Sequence, residues 1–162
     1  MDHLWTPWRS TYISGRTERG GCIFCAAGQD ASKDPATLVV FRGALSFIIL
    51  NRFPYTTGHL MIAPYEHVSR LSAMTEAASA EMMALARRSE QILEAIYRPD
   101  GLNMGLNLGE AAGAGIAQHL HLHVLPRWTG DANFMTTVAQ TRVMPEALDE
   151  TYTKLRTGFA EP

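Results

Sequence analysis

The chain predicts an α+β domain: an antiparallel sheet of about five strands, one long helix packed across it, and a short C-terminal helix. Three observations carry this. Short stretches rich in β-branched and apolar residues alternate with turn residues. A single apolar stripe of helical period falls between the third and fourth of them. The order β-β-β-α-β-β favours antiparallel neighbours joined by short connections.

The elements follow in order. Residues 1–36 read as an irregular N-terminal arm, with Trp5, Trp8 and Tyr12 available to pack on the body and a polar, Pro35-containing loop at 27–36. Thr37 to Phe41 and Leu45 to Leu50 read as a hairpin about Arg42-Gly43-Ala44. Asn51 to Gly58 is a loop, and His59 to Ala63 a third strand stopped by Pro64. Thr75 is a helix N-cap with Glu76 in the first turn, where negative charge suits the dipole. Met82, Leu85, Ser89, Ile92 and Ile96 form the buried stripe, and Pro99 and Gly101 end the helix. Leu102 to Leu108 is a fourth strand, 109–115 a small-residue loop, 118–126 the fifth strand and 146–157 a terminal helix. Residues 1–162 thus read as one domain: the arm, a catalytic core at 37–135 and a C-terminal segment at 136–162.

With 162 residues, 46% hydrophobic and 19% charged, the composition is that of an ordinary globular protein. A net charge of −2 supplies no basic field for nucleic acid or an anionic membrane. No apolar run is long enough to span a bilayer, and the N-terminus lacks the pattern of a signal peptide, so a cytoplasmic protein is expected.

The chemistry concentrates in Gln118-His119-Leu120-His121-Leu122-His123-Val124-Leu125-Pro126-Arg127. Spacing of i, i+2, i+4 on a strand puts three imidazoles on one face and the apolar residues on the other. Neutral imidazole can attack phosphorus if its second nitrogen keeps a proton against an acceptor such as a backbone carbonyl. Flanking rings can donate to phosphate oxygens, and the preceding small-residue loop can bring backbone N–H groups close. The spacing alone admits a three-histidine metallohydrolase equally well. A nucleotide-binding regulator without catalysis is a further alternative.

His119-x-His121-x-His123-Val124 resembles the signature of the histidine triad (HIT) family. So do Phe47 to Asn51, Gly58 to Pro64, and Leu106-Asn107-Leu108-Gly109. Leu4-Trp5-Thr6-Pro7-Trp8-Arg9 and Gly130-Asp131-Ala132-Asn133-Phe134 resemble the diadenosine-polyphosphate-processing branch, with its hydrolase and phosphorylase members. The resemblance covers most of residues 4–135. It implies cleavage of a dinucleoside polyphosphate, such as diadenosine tetraphosphate, through a nucleotidyl-histidine. His121 would be the nucleophile, His119 and His123 would bind phosphate oxygens, and His59 would support the nucleophile. Asn51 would contact ribose and Asn107 the phosphate or leaving group. Many members carry Gln, Ser or Thr where this chain has Gly115 and Ile116. Leaving-group contact at Ala114, Gly115 and Ile116 would therefore rest on backbone N–H groups. A homodimer through the long helix and an edge strand is also implied.

Cys22-Ile23-Phe24-Cys25 lacks the strand-to-helix setting of a redox motif and fits a zinc knuckle better, since two such thiolates can grip one tetrahedral ion. The resemblance completes the set with His67 and His119, giving a closed structural zinc site. His119 then has two competing roles. Plainer readings stand beside these: His59 as a buried hydrogen-bonded ring, His67 as a surface residue, Asn51 as a turn residue.

Overall fold

The computed structural model describes residues 21–132, Thr136 and residues 144–161. The motif at 4–9 and residues 133–134 lie outside them. Strands β1 (Val39–Arg42), β2 (Ser46–Leu50), β3 (Leu60–Pro64), β4 (Gly101–Leu106) and β5 (Leu122–Arg127) form one antiparallel sheet in the order β1-β2-β3-β5-β4. Helices α1 (Ile23–Gln29), α2 (Asp34–Thr37), α3 (Glu76–Tyr97) and α4 (Leu148–Ala160) complete the described fold.

Register sets the two faces of the sheet. Ile49 pairs with Met61, and Met61 with His123, so these three stand in one row across β2, β3 and β5. Leu60 and Val124, a step along, point the other way and are fully buried. The long helix α3 packs across β2, β3 and β5, and α4 lies beside it against β1. The stripe behaves as its period demands: Met82, Leu85, Ser89 and Leu93 are buried, and Ser89 Oγ donates to the Leu85 carbonyl. Thr75 caps α3, its Oγ1 accepting the Ala78 N–H at 3.1 Å. The helix stops at Arg98, which adopts a left-handed conformation (φ 46°).

Two expectations need correction. The stretch 22–36 is not irregular: α1 and α2 occupy most of it, with a 3-10 turn at Ala31–Lys33 between them. Pro35 does not break structure there, because it lies in the first turn of α2, where a missing N–H costs nothing. Strand β5 also begins later and ends later than expected. It starts at Leu122, so His119 and His121 precede it, and it runs through Pro126 to Arg127.

Distant contacts hold the seven-residue helix α1. Phe24 and Ala27 are buried. Arg42 donates to the Ala27 and Gly28 carbonyls at 2.6 and 2.8 Å, satisfying the helix's C-terminal end. The same guanidinium pairs with buried Asp34 at 2.6 Å, and Arg156 from α4 reaches that carboxylate at 3.3 Å. These non-local bonds explain why sequence periodicity gave no sign of α1.

Candidate functional site

The segment from His119 to Val124 is buried along its length. The His121 Nδ1–H donates to the His119 carbonyl at 2.8 Å. That bond fixes the tautomer and makes Nε2 the nitrogen with the lone pair. The His121 ring borders a cleft of about 380 Å³, walled by α1 through Ile23, Phe24 and Ala27 and by Leu38, Ile49 and Met61. This volume lies in the roughly 300–1,000 Å³ range of small-ligand sites. Asn51, Gly115, Ile116 and His123 line the same cleft.

His123 has its own fixed tautomer. The Tyr55 N–H donates to His59 Nδ1 at 3.2 Å, and the Asn51 side-chain amide approaches the same nitrogen at 3.3 Å. The His59 Nε2–H therefore donates to His123 Nδ1 at 2.9 Å. A neutral His123 then carries its proton on Nε2, as a donor. Burial, and secondarily the charge His121 would carry, lower the His123 pKa to about 4. At neutral pH it is an uncharged N–H group beside the His121 ring, 4.9 Å between centroids. His59 is completely buried and bonds His123. The hydrogen bond that His59 Nε2 makes is to His123, the triad ring next to His121.

His119 faces elsewhere. Its Nε2–H donates to the Pro64 carbonyl at 2.9 Å, and Nδ1 points at the cysteine pair. Both nitrogens are directed away from the cleft, which it does not line, so this geometry does not support the expected phosphate contact. Asn107, just after β4, does not line the cleft either. Ala114 is buried and its N–H donates to the Gly109 carbonyl at 3.2 Å, so that donor is already used. Two aromatic residues were not singled out by sequence reasoning. Tyr55 packs on His59 and His123 at 4.7 and 6.0 Å, and Phe24 packs on His119 and His121 at 5.2 and 4.8 Å. Phe24 sits inside the Cys-x-x-Cys motif, which was the available signal. A larger hollow, about 760 Å³, lies beyond Tyr55 against Arg127 and Trp128 and contains none of the triad histidines.

Cys22, Cys25, His67 and His119 offer ligand atoms that all lie within 4.8 Å of one another. His119 Nδ1 is 3.3 Å from Cys22 Sγ, 3.6 Å from Cys25 Sγ and 3.2 Å from His67 Nδ1; Cys25 Sγ is 3.1 Å from His67 Nδ1. Tetrahedral zinc with these donors sets ligand atoms about 3.3–3.8 Å apart. The Pro64 carbonyl orients the His119 ring as an outer partner orients a metal-bound histidine. Burial, and next the neighbouring Cys22, raise the Cys25 pKa, so a second thiolate calls for a cation. The residues fit a metal ion. Among the described residues this is the one such cluster, and the three triad rings do not form another.

A five-strand antiparallel sheet carrying His-x-His-x-His against a small-molecule cleft defines a histidine triad domain. Residues 32–130 match the HIT domain family, and the chain belongs to that family. It is 40% identical over 166 residues to a Mycobacterium tuberculosis protein named AP-4-A phosphorylase, covering 99% of this chain and 85% of the relative. A bis(5'-nucleosyl)-tetraphosphatase (asymmetrical) from Schizosaccharomyces pombe is 29% identical over 93 residues, 57% of this chain and 50% of that protein. The fold superposes on a zinc-bound histidine triad family protein from Mycobacterium smegmatis with a TM-score of 0.70 and 29% identity, covering 87% and 94% of the two chains.

Proposed function

We propose that this chain cleaves dinucleoside polyphosphates such as diadenosine tetraphosphate, through a nucleotidyl group held on His121. The observation that carries the reading is the 2.8 Å bond from His121 Nδ1–H to the His119 carbonyl, which gives Nε2 its lone pair beside the cleft. The nucleoside enters that cleft, its base among Ile23, Phe24, Leu38 and Ile49 and its ribose near Asn51. Nε2 attacks the α-phosphorus. A P–N bond forms, the bond to the bridging oxygen breaks, and ATP leaves. His123 donates its Nε2–H to a non-bridging oxygen. Its low pKa keeps it neutral, so it does not oppose the charge that His121 gains on bonding phosphorus. Orthophosphate or water then attacks the same phosphorus and restores the imidazole. The name and 40% identity of the mycobacterial relative favour orthophosphate.

Zinc is the proposed occupant of Cys22, Cys25, His67 and His119, a closed set with a structural role. No described helix is long and apolar enough to cross a membrane. A cytoplasmic setting, where thiols stay reduced, suits the cysteine pair. β4 is an edge strand with Met104 exposed, and Met83 is exposed on α3, which supports a homodimer.

Rapid quench with labelled diadenosine tetraphosphate tests the chemistry. Phosphorolysis yields ADP and ATP, and hydrolysis yields AMP and ATP. His121→Ala should keep the fold and lose turnover and the labelled enzyme intermediate. Undiminished turnover in that variant would remove the mechanism.

A further inference from the structure

The metal cluster and the nucleotide cleft share one short helix. Cys22 and Cys25 bracket Ile23 and Phe24, so two residues that line the cleft sit between two that face the metal cluster. Phe24 is 0% exposed, lines the cleft, and packs its ring on both His119 and His121. The other end of α1 is fastened by Arg42. Its beginning has no side-chain cap, since Cys22 occupies the N-cap position and makes no capping bond. A seven-residue helix does not hold itself in water. The bonds that fix this beginning are those of the cysteine cluster, together with burial of Phe24.

We propose that Phe24 is a positioning residue that transmits the filling of the Cys22–Cys25–His67–His119 cluster to nucleotide affinity and to the orientation of His121. With the cluster filled, α1 is held at both ends, and the Phe24 ring closes the cleft wall and backs the His121 imidazole. With it emptied, the first turn of α1 loosens, and the ring leaves both contacts together. The effect runs through packing, with no charge crossing between the sites. This inference rests on the proposed reading of the cleft as a nucleotide site.

The test compares wild type, Phe24→Leu, His67→Ala and the double variant after reconstitution with zinc. Zinc content, AMP affinity by calorimetry, and kcat and KM on diadenosine tetraphosphate are read for each. His67 does not line the cleft, so His67→Ala acts on it only through the cluster. Loss of zinc in His67→Ala should weaken AMP binding about fivefold. Phe24→Leu should keep stoichiometric zinc and weaken AMP about as much, with a fall in kcat as well as a rise in KM. The double variant should be within twofold of Phe24→Leu, because the two changes break the same link. Chelation of wild type should reproduce the His67→Ala affinity. Multiplying effects in the double variant, zinc-free protein that binds AMP like wild type, or failure to take up zinc would each overturn the proposal. A wild type that binds AMP with this dependence yet cleaves no dinucleoside polyphosphate would sink the proposed function and leave the coupling intact.

Discussion

Acidification should expose His123. Folding holds its pKa near 4 against an ordinary value of 6.5, chiefly because the ring is buried. The groups facing it are His59, bonded to Nδ1, the His121 ring edge and the Tyr55 ring. None of them supplies a negative charge. The folded state therefore binds fewer protons than the unfolded chain between the two values. Stability contributed by the neutral ring is complete above pH 6.5 and drains away as pH falls towards 4. At about 1.4 kcal/mol per pKa unit, the full effect is about 3 kcal/mol, of which roughly 2.5 is lost by pH 4.5. The measurement is a difference between two proteins, so that protonation common to both cancels. Urea unfolding of wild type and His123→Gln is followed from pH 8 to 4.5. The variant should start less stable, since His59 loses its ring partner, but its stability should fall about 2.5 kcal/mol less over the same span. Parallel pH curves for the two proteins would refute the burial argument, and with it the claim that His123 is an uncharged donor at neutral pH.

Asp34→Ala should destabilise by about 3 kcal/mol, because it leaves the Arg42 guanidinium half-buried without its carboxylate; a denaturant midpoint within 0.5 kcal/mol of wild type, on the order of ordinary surface changes, would contradict this. Gly58→Ala should cost about 2 kcal/mol or more: φ is +77°, and a Cβ there would sit 3.1 Å from Leu93 Cδ2 and 3.2 Å from Pro126 Cγ and Tyr97 Cε2. Thermal unfolding would read it, and a neutral result would mean that α3 can shift off the sheet. Thr75→Ala should cost about 1 kcal/mol by removing the cap on Ala78 N–H, while Thr75→Ser should restore most of it.

The sequence made legible whatever is periodic or local. All five strands fall within a few residues of their expected places, and α3 starts at the expected Thr75 cap. Alternation rightly set His123 on the face opposite Val124, and the expected carbonyl partner for the attacking histidine proved to be its neighbour two residues back. What escaped depends on distant groups. Helix α1 exists through Arg42, twenty positions along the chain from Cys22, and through His67 and His119 beyond. Its seven residues are too few to display a stripe. The division of labour among the triad was equally hidden. Spacing treats His119 and His123 as twin flanks, but the Pro64 carbonyl claims one ring and His59 the other. The cysteine half of the metal cluster was readable because two thiolates at Cys-x-x-Cys spacing limit the chemistry before any fold is known; His67 and His119 came from the family resemblance, and the structure brings their ligand atoms within 4.8 Å of the pair.

The Asp34 carboxylate has a consequence for the far end of the molecule. Arg156, in the third turn of the last helix, grips the carboxylate that steadies Arg42, and Arg42 holds the tail of α1. A brace thus runs from the C-terminus to the chamber where substrate would lie. Arg156→Ala would therefore slacken the α1 wall of the cleft through Asp34 and Arg42, although Arg156 does not itself line that cleft.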